Sequence, residues 1–335
     1  MRISYSNYGY IMIKKIIEII GAGIMSLVIL SVFCFFYQND GINIANPNHA
    51  TDYTNIPNSI KATLTEGFCF FRMDEHGYNN QTVRDEIDIL LMGSSHVESA
   101  HVQPEYTISS LLNEQLVDFY TYNIGIPGHT IYRCADNLKN AVQIYQPKQY
   151  VVIETSAVQL DMGQMLSVLN GTASPIKTHD TGILYYFQMI PALKVLFNQL
   201  SLWRDADINS TEKVNGNEVG HEDYDKVLNM FLAKMRGDTP NGCKLIIFYH
   251  PTAKVSNGDY EYARDPEYRV AFQSAAEQND IIFLDMTEVF QRYYEDNSCL
   301  THGFVNTAVE KGHINSHGNQ LVADELVSVI RGDKK

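Results

Sequence analysis

"IDILLMGSSHVESAHV", residues 87–102, decides how the rest of the chain is read. Residues 87–92 form a dense aliphatic run of the length of a buried strand, and they deliver Gly93, Ser94, Ser95 and His96 to its carboxyl end. Four more short apolar runs, at 119–124, 150–154, 244–249 and 281–284, have the same character. Amphipathic stretches lie between them. Ile131, Cys134, Leu138, Ala141, Val142 and Tyr145 share one helical face, as do Leu321, Val322, Leu326, Val329 and Ile330 near the C-terminus. This alternation predicts a three-layer α/β/α fold whose five-stranded parallel sheet is covered on both faces. Ligand sites in such a sheet lie at the carboxyl ends of the strands. Residues 93–101, 127–129, 155–159, 250–254 and 285–287 would therefore share one edge.

The N-terminus reads differently. Residues 19–36 carry no charge, and at about 1.5 Å per residue they span roughly 27 Å, close to the ~30 Å bilayer core. A secretory h-region is shorter, about 7–15 residues, and no small-x-small cleavage site follows this run. An uncleaved transmembrane anchor over 16–36 is predicted, with residues 1–15 cytoplasmic because Lys14 and Lys15 flank it, and the remainder extracytoplasmic at the cell membrane. Residues 37–60, rich in Asn, Asp and Pro, read as a linker to one domain over 61–335. Within that domain, about 160–221 breaks the strand–helix rhythm. It carries Tyr185, Tyr186, Phe187, Leu196, Phe197 and Trp203 in what reads as one or two helices, either an insertion above the site or an extra pair on the scaffold.

The first 36 residues carry Arg2, Lys14, Lys15 and Glu18, net +2, which leaves −16 for the rest of a chain whose total is −14. That charge argues against nucleic acid as a partner. Of the five cysteines, Cys34 lies in the anchor; Cys69, Cys134, Cys243 and Cys299 allow three pairings or four buried thiols, and none forms a C-x-x-C pair. His313 and His317 have the spacing of a helical metal pair, but Gly318 argues against helix there and no third ligand stands at a matching spacing. Neither a metal nor a cofactor is expected.

A serine becomes a nucleophile when a base takes its proton, a third group orients the base and fixed donors meet the oxyanion. Ser95 follows the first strand directly, where the turn into a helix exposes its side chain and aims backbone N–H groups at developing negative charge; a helix cap is the alternative reading. His313 lies in "EKGHINSHGNQLVADEL", on a loop before the C-terminal helix that can return to that strand edge. Glu310, three residues earlier, is the candidate Nδ1 acceptor, and Asp285 at the end of the fifth strand is its rival. His96, His250 and Asn306 fall near the same edge as substrate-binding candidates.

These pieces resemble the SGNH or GDSL-like hydrolases, a resemblance that implies a flavodoxin-like order for the sheet. Met92-Gly93-Ser94-Ser95 is similar to their first block, with Ser94 for the usual Asp. Asn123-Ile124-Gly125-Ile126-Pro127-Gly128-His129-Thr130 follows the second, and Glu310-Lys311-Gly312-His313-Ile314-Asn315-Ser316-His317-Gly318 keeps the frame of the fifth with Glu for Asp. The third block departs: Glu154-Thr155-Ser156-Ala157-Val158-Gln159 has no asparagine. The resemblance covers roughly 86–160 and 280–331. It implies Ser95 as nucleophile, His313 as base, Glu310 as orienter, and Ser95 and Gly128 as oxyanion N–H donors, with Gln159 or Ser156 replacing the missing asparagine and Asn123 in the substrate-binding set. The departures resemble the membrane-anchored branch of polysaccharide O-acetylation and teichoic-acid D-alanyl transfer. Expected functions are thus a serine esterase or O-acyltransferase on acyl groups of a cell-envelope glycan, or a non-catalytic tethered accessory that binds a glycan or a membrane O-acyltransferase.

Overall fold

Five parallel strands form the central sheet: β1 (Ile89–Met92), β2 (Thr121–Asn123), β3 (Tyr150–Thr155), β4 (Lys244–Tyr249) and β5 (Ile281–Asp285). Their order is β5-β4-β3-β1-β2, the predicted flavodoxin-like arrangement. Register is continuous across the middle, with Leu91 opposite both Asn123 and Val152, and Val152 opposite Ile246. In the computed structural model the described residues are 4–39, 43–46, 48–173, 186–187, 189–197, 221–256, 259–262, 265–308 and 312–332. The helices among them include α1 (Ser4–Tyr37), α2 (Ser95–Glu98), α3 (Ile108–Gln115), α4 (Ile131–Tyr145), α5 (Met162–Leu169), α6 (His221–Asp238), α7 (Pro266–Gln278), α8 (Thr287–Asn297) and α9 (Ser316–Arg331).

Because side chains alternate along a strand, the apolar runs feed two cores. Leu90, Met92, Val151, Ile153, Leu245 and Ile247 join Cys134 and Leu138 of α4, Phe231 of α6 and Phe272 of α7 on one face. Ile89, Leu91, Val152, Ile246 and Phe248 join Leu112 of α3, Phe290 of α8 and Val322 and Leu326 of α9 on the other. Such a fully buried aliphatic side chain contributes roughly 1.5–3 kcal/mol. Both predicted helical stripes therefore cover the sheet, and they cover opposite faces.

The chain divides into two compact units, Gly41–Asp180 with Val214–Lys335, and Met1–Asp40 with Thr181–Lys213. The second contains α1, which is longer than the predicted anchor; within it Tyr10–Tyr37 is long and apolar enough to cross a membrane. Its side chains are largely exposed, and Lys14 and Glu18 face each other one turn apart at 4.0 Å. The predicted insertion at 160–221 is seen in part. Tyr186, Phe187, Leu196 and Phe197 are exposed, while Tyr185 and Trp203 lie outside the described residues.

The linker reading of 37–60 needs correction. Ala50, Thr51, Tyr53, Thr54 and Asn55 are buried, and Asn43–Ala45 pairs antiparallel with Tyr53–Asn55. Polar composition suggested a solvated tether, but these polar groups are satisfied inside: Thr51 Oγ1 donates to Tyr53 O at 2.7 Å, and Asn46 Nδ2 to Tyr78 OH at 2.9 Å. A hairpin follows, Ile60–Thr63 against Cys69–Arg72. All five cysteines are free, four buried and Cys299 exposed, so the buried-thiol alternative holds for Cys69, Cys134 and Cys243.

Candidate active site

The turn after β1 is shaped by Gly93. A Cβ there would stand 2.5 Å from Val97 Cγ2 and 2.7 Å from Glu154 Cβ, so only glycine lets β1 run this close beneath α2 and beside β3. Ser94 then caps α2, its hydroxyl accepting from His96 N–H at 3.3 Å, and Ser95 opens the helix. Glu98 at the other end of α2 is buried and pairs with Lys61 of the hairpin. That pair fixes the short helix from behind.

The histidine arrives from the loop before α9. Asn315 caps that helix by accepting from His317 N–H and Gly318 N–H, both at 3.1 Å, while its Nδ2 donates to Leu300 O at 2.8 Å. The loop also pairs with the preceding segment, Gly303 N–H donating to His313 O at 2.8 Å and Asn315 N–H to Thr301 O at 2.9 Å. So held, His313 Nε2 lies 2.7 Å from Ser95 Oγ.

The partner of the other ring nitrogen was missed by sequence reasoning. His313 Nδ1 is 2.8 Å from Glu66 Oε2, and His313 N–H donates to Glu66 Oε1 at 2.5 Å. Gly312, at φ +112°, allows this approach; a Cβ there would sit 2.7 Å from Glu66 Oε1. Burial pushes the Glu66 carboxyl up, but the hydrogen bonds from the His313 ring and backbone and the charges of His101 and His313 outweigh it and bring it to about 2. Glu66 is therefore an acceptor only, which places the proton of His313 on Nδ1 and the lone pair on Nε2, facing the serine. Glu310 lies outside the described residues. The rival, Asp285, is engaged elsewhere: Oδ2 takes Arg269 Nε at 2.5 Å and Oδ1 takes Thr287 N–H at 2.9 Å.

Glu66 sits in the hairpin turn, far from any catalytic block in sequence. The one local signal was the Glu66-Gly67 turn between two apolar segments. Asn306, read as substrate-binding, is exposed and braces that turn, accepting from Gly67 N–H at 2.8 Å and donating to Leu64 O at 2.6 Å. His101, also missed, stacks on His313 with ring centroids 3.9 Å apart and planes 19° apart. Burial and the neighbouring His313 push His101 down to about 4, so it presents a neutral face to the His313 ring.

Two backbone N–H groups, those of Ser95 and Gly128, have no acceptor among the described residues. Gly128 is exposed on a loop that Tyr53 OH secures by donating to Pro127 O. Asn123 acts within that loop rather than towards solvent: it is fully buried, its Oδ1 accepts Gly125 N–H at 2.7 Å and its Nδ2 donates to Val97 O at 2.8 Å. Gln159 and Ser156 are exposed on the loop after β3.

Beneath the serine lies a histidine cluster. His96 packs against His250 and His313 at ring-centroid distances of 4.4 and 4.9 Å, and its Nδ1 accepts Ile314 N–H at 3.2 Å. His250, fully buried, is 2.7 Å from Glu154 Oε1 and 3.3 Å from His302 Nε2. It lies below the surface that a substrate would touch. Burial first, then neighbouring imidazoles, hold His96 and His302 well below the ordinary histidine range. Two groups, His96 with His250 and His302, and Glu66 with His101 and His313, bring three potential metal-ligand atoms within 4.8 Å of one another. In the second, His313 and Glu66 already hydrogen-bond each other.

No family model matches the chain, and no curated protein does. Among solved structures it is similar to an acetyl xylan esterase, at 19% identity over 73% of this chain and 100% of that one, with a TM-score of 0.42. It is also similar to a catalytic mutant of an acetylxylan esterase from Geobacillus stearothermophilus, at 14% identity over 72% and 93%, TM-score 0.39. A protein assigned to the lipolytic G-D-S-L family from Desulfitobacterium hafniense gives 14% over 72% and 98%, TM-score 0.38. These solved structures include the G-D-S-L group that the sequence motifs resemble, and their identities are low.

Proposed function

We propose that this chain is a serine esterase or O-acyltransferase that works through an acyl-Ser95 intermediate, with His313 as general base and acid and Glu66 as the carboxylate that orients it. The observation that carries the reading is the unbroken contact series from Ser95 Oγ to His313 Nε2 at 2.7 Å and from His313 Nδ1 to Glu66 Oε2 at 2.8 Å. His313 Nε2 takes the Ser95 proton as Oγ bonds to the acyl carbon, and the resulting imidazolium is stabilised by Glu66. The N–H groups of Ser95 and Gly128 meet the oxyanion. Collapse of the tetrahedral adduct breaks the bond to the leaving alcohol, which receives the proton from His313. Water or a sugar hydroxyl then gives its proton to His313 as it bonds to the acyl carbon, and the Oγ–acyl bond breaks as His313 returns that proton to Ser95. A missing oxyanion donor costs about 10²–10³ in kcat. Gln159 or Ser156 is the side chain we assign to that place.

The apolar helix anchors the protein in the cell membrane, with Lys14 and Lys15 on the cytoplasmic side and the catalytic unit outside. An enzyme held in this way serves substrates that stay at the surface, so an acylated cell-envelope glycan is the substrate class, with a membrane O-acyltransferase as the partner class. The test is turnover of a short-chain aryl ester by full-length protein in detergent, with and without an oligosaccharide acceptor. We expect ester cleavage that Ser95→Ala abolishes; acyl appearing on the oligosaccharide identifies a transferase. Absence of both cleavage and transfer in the native protein would contradict the proposal.

A further inference from the structure

Glu154 occupies the segment where the third block would supply an oxyanion donor, yet it is an acceptor, and both its oxygens are engaged. Oε2 takes Ser94 N–H at 2.8 Å and Oε1 takes His250 Nε2 at 2.7 Å. Burial pushes this carboxyl up, but the His250 hydrogen bond, the charges of His250 and His96 and the Ser94 N–H bring it down to about 2. An ionised carboxylate offers no proton, so His250 must carry one on Nε2. Taking each ring as the neutral tautomer, the later directions are assigned in turn. His250 Nδ1 accepts from His302 Nε2 at 3.3 Å, His302 Nδ1 accepts from Thr301 Oγ1 at 3.1 Å, and Thr301 Oγ1 accepts from Tyr262 OH at 2.6 Å. Tyr262 OH also accepts Thr301 N–H at 2.9 Å. Tyr262, Thr301, His302, His250 and Glu154 are all buried.

A metal is the competing occupant of this cluster. It would need lone pairs on both His250 Nδ1 and His302 Nε2, which moves the His302 proton to Nδ1. It would also need a lone pair from His96, whose Nδ1 already accepts from Ile314 N–H. The directed chain needs no lone pair from His96.

We infer that Glu154 and His250 are positioning residues for Ser95: the chain from Tyr262 ends on Ser94 N–H and clamps the turn that presents the nucleophile. The clamp removes Ser94 N–H from the groups that could meet an oxyanion and leaves Ser95 N–H and Gly128 N–H for that purpose. This inference rests on Ser95 being the nucleophile, as proposed above.

The test combines nitrogen-15 NMR of the histidine rings with kinetics, on full-length protein in detergent. In the native protein we expect the proton of both His250 and His302 on Nε2, and a downfield Ser94 amide proton. Glu154→Gln keeps an oxygen for Ser94 N–H but turns its amide towards His250, so both ring protons should move to Nδ1 while kcat stays within about tenfold. Glu154→Ala should lose the downfield amide signal and lower kcat by about 10² with KM little changed, the scale of a small misplacement of reacting atoms. A native His302 protonated on Nδ1, or a kcat that Glu154→Ala leaves unaltered, would overturn the inference. If Glu154→Ala fails to fold, the ring protons of Glu154→Gln decide alone. If the native protein turns over no ester, the function proposed above falls, while the ring protons and the Ser94 amide still decide whether the clamp exists.

Discussion

Two carboxylate–imidazole pairs stand side by side at this sheet edge, Glu66 with His313 at 2.8 Å and Glu154 with His250 at 2.7 Å. Their lengths are alike and both carboxyls are drawn down to about 2. The difference lies in what the second ring nitrogen meets. His313 Nε2 faces a hydroxyl, and the His313 side chain is partly exposed; His250 Nδ1 faces another imidazole, and His250 is sealed from solvent. In the mechanism proposed above, a carboxylate–histidine pair thus serves as a base or a brace according to the group beyond it. Burial alone does not distinguish the two roles.

The sharpest way to break this comparison is Glu66→Gln. The amide would donate to His313 Nδ1 and leave the proton on Nε2, where it cannot accept from Ser95. We expect kcat on a short-chain ester to fall by about 10⁴, the cost of a wrong tautomer in a triad, with KM little changed. A loss below tenfold would move the orienting role away from Glu66.

The next test concerns the hairpin that carries Glu66. Lys61 and Glu98 form a buried pair linking this hairpin to α2. Lys61→Met leaves Glu98 charged and unpaired, and should lower stability by about 3–5 kcal/mol, read by urea unfolding; adding Glu98→Leu should recover much of it. An equal or larger loss in the double variant would show that the pair does more than satisfy itself.

The smallest effect is the linkage of both carboxyls to pH. Each has its folded value lowered from about 4.5 to about 2, so each adds stability that is present above pH 4.5 and lost as pH falls towards 2. Urea midpoints should decline over that window in the native protein and decline less in Glu66→Gln. Equal declines would show that Glu66 gains nothing from its partners.

The contrast also explains what was legible in the sequence. The sheet was visible because fully buried parallel strands are continuous apolar runs, and all five ran within two residues of their observed ends. Ser95 and His313 were visible because each follows or precedes a strong element at a strand edge. Glu66 was not, since it reaches His313 from 247 residues away through a hairpin turn with no periodicity of its own. Glu154 was read as the end of a strand lacking an asparagine, because its role depends on His250 and Ser94 arriving from other elements. The stretch 50–55 looked solvated because polar residues do not reveal in sequence whether their partners are water or protein.

The most direct measurement of the central claim is the intact mass of full-length protein after treatment with a fluorophosphonate. The Ser95–His313–Glu66 arrangement predicts one adduct per chain, mapped to the peptide containing Ser95, absent from Ser95→Ala and formed far more slowly by His313→Ala. No adduct on the native protein, or an adduct that persists in Ser95→Ala, would contradict it.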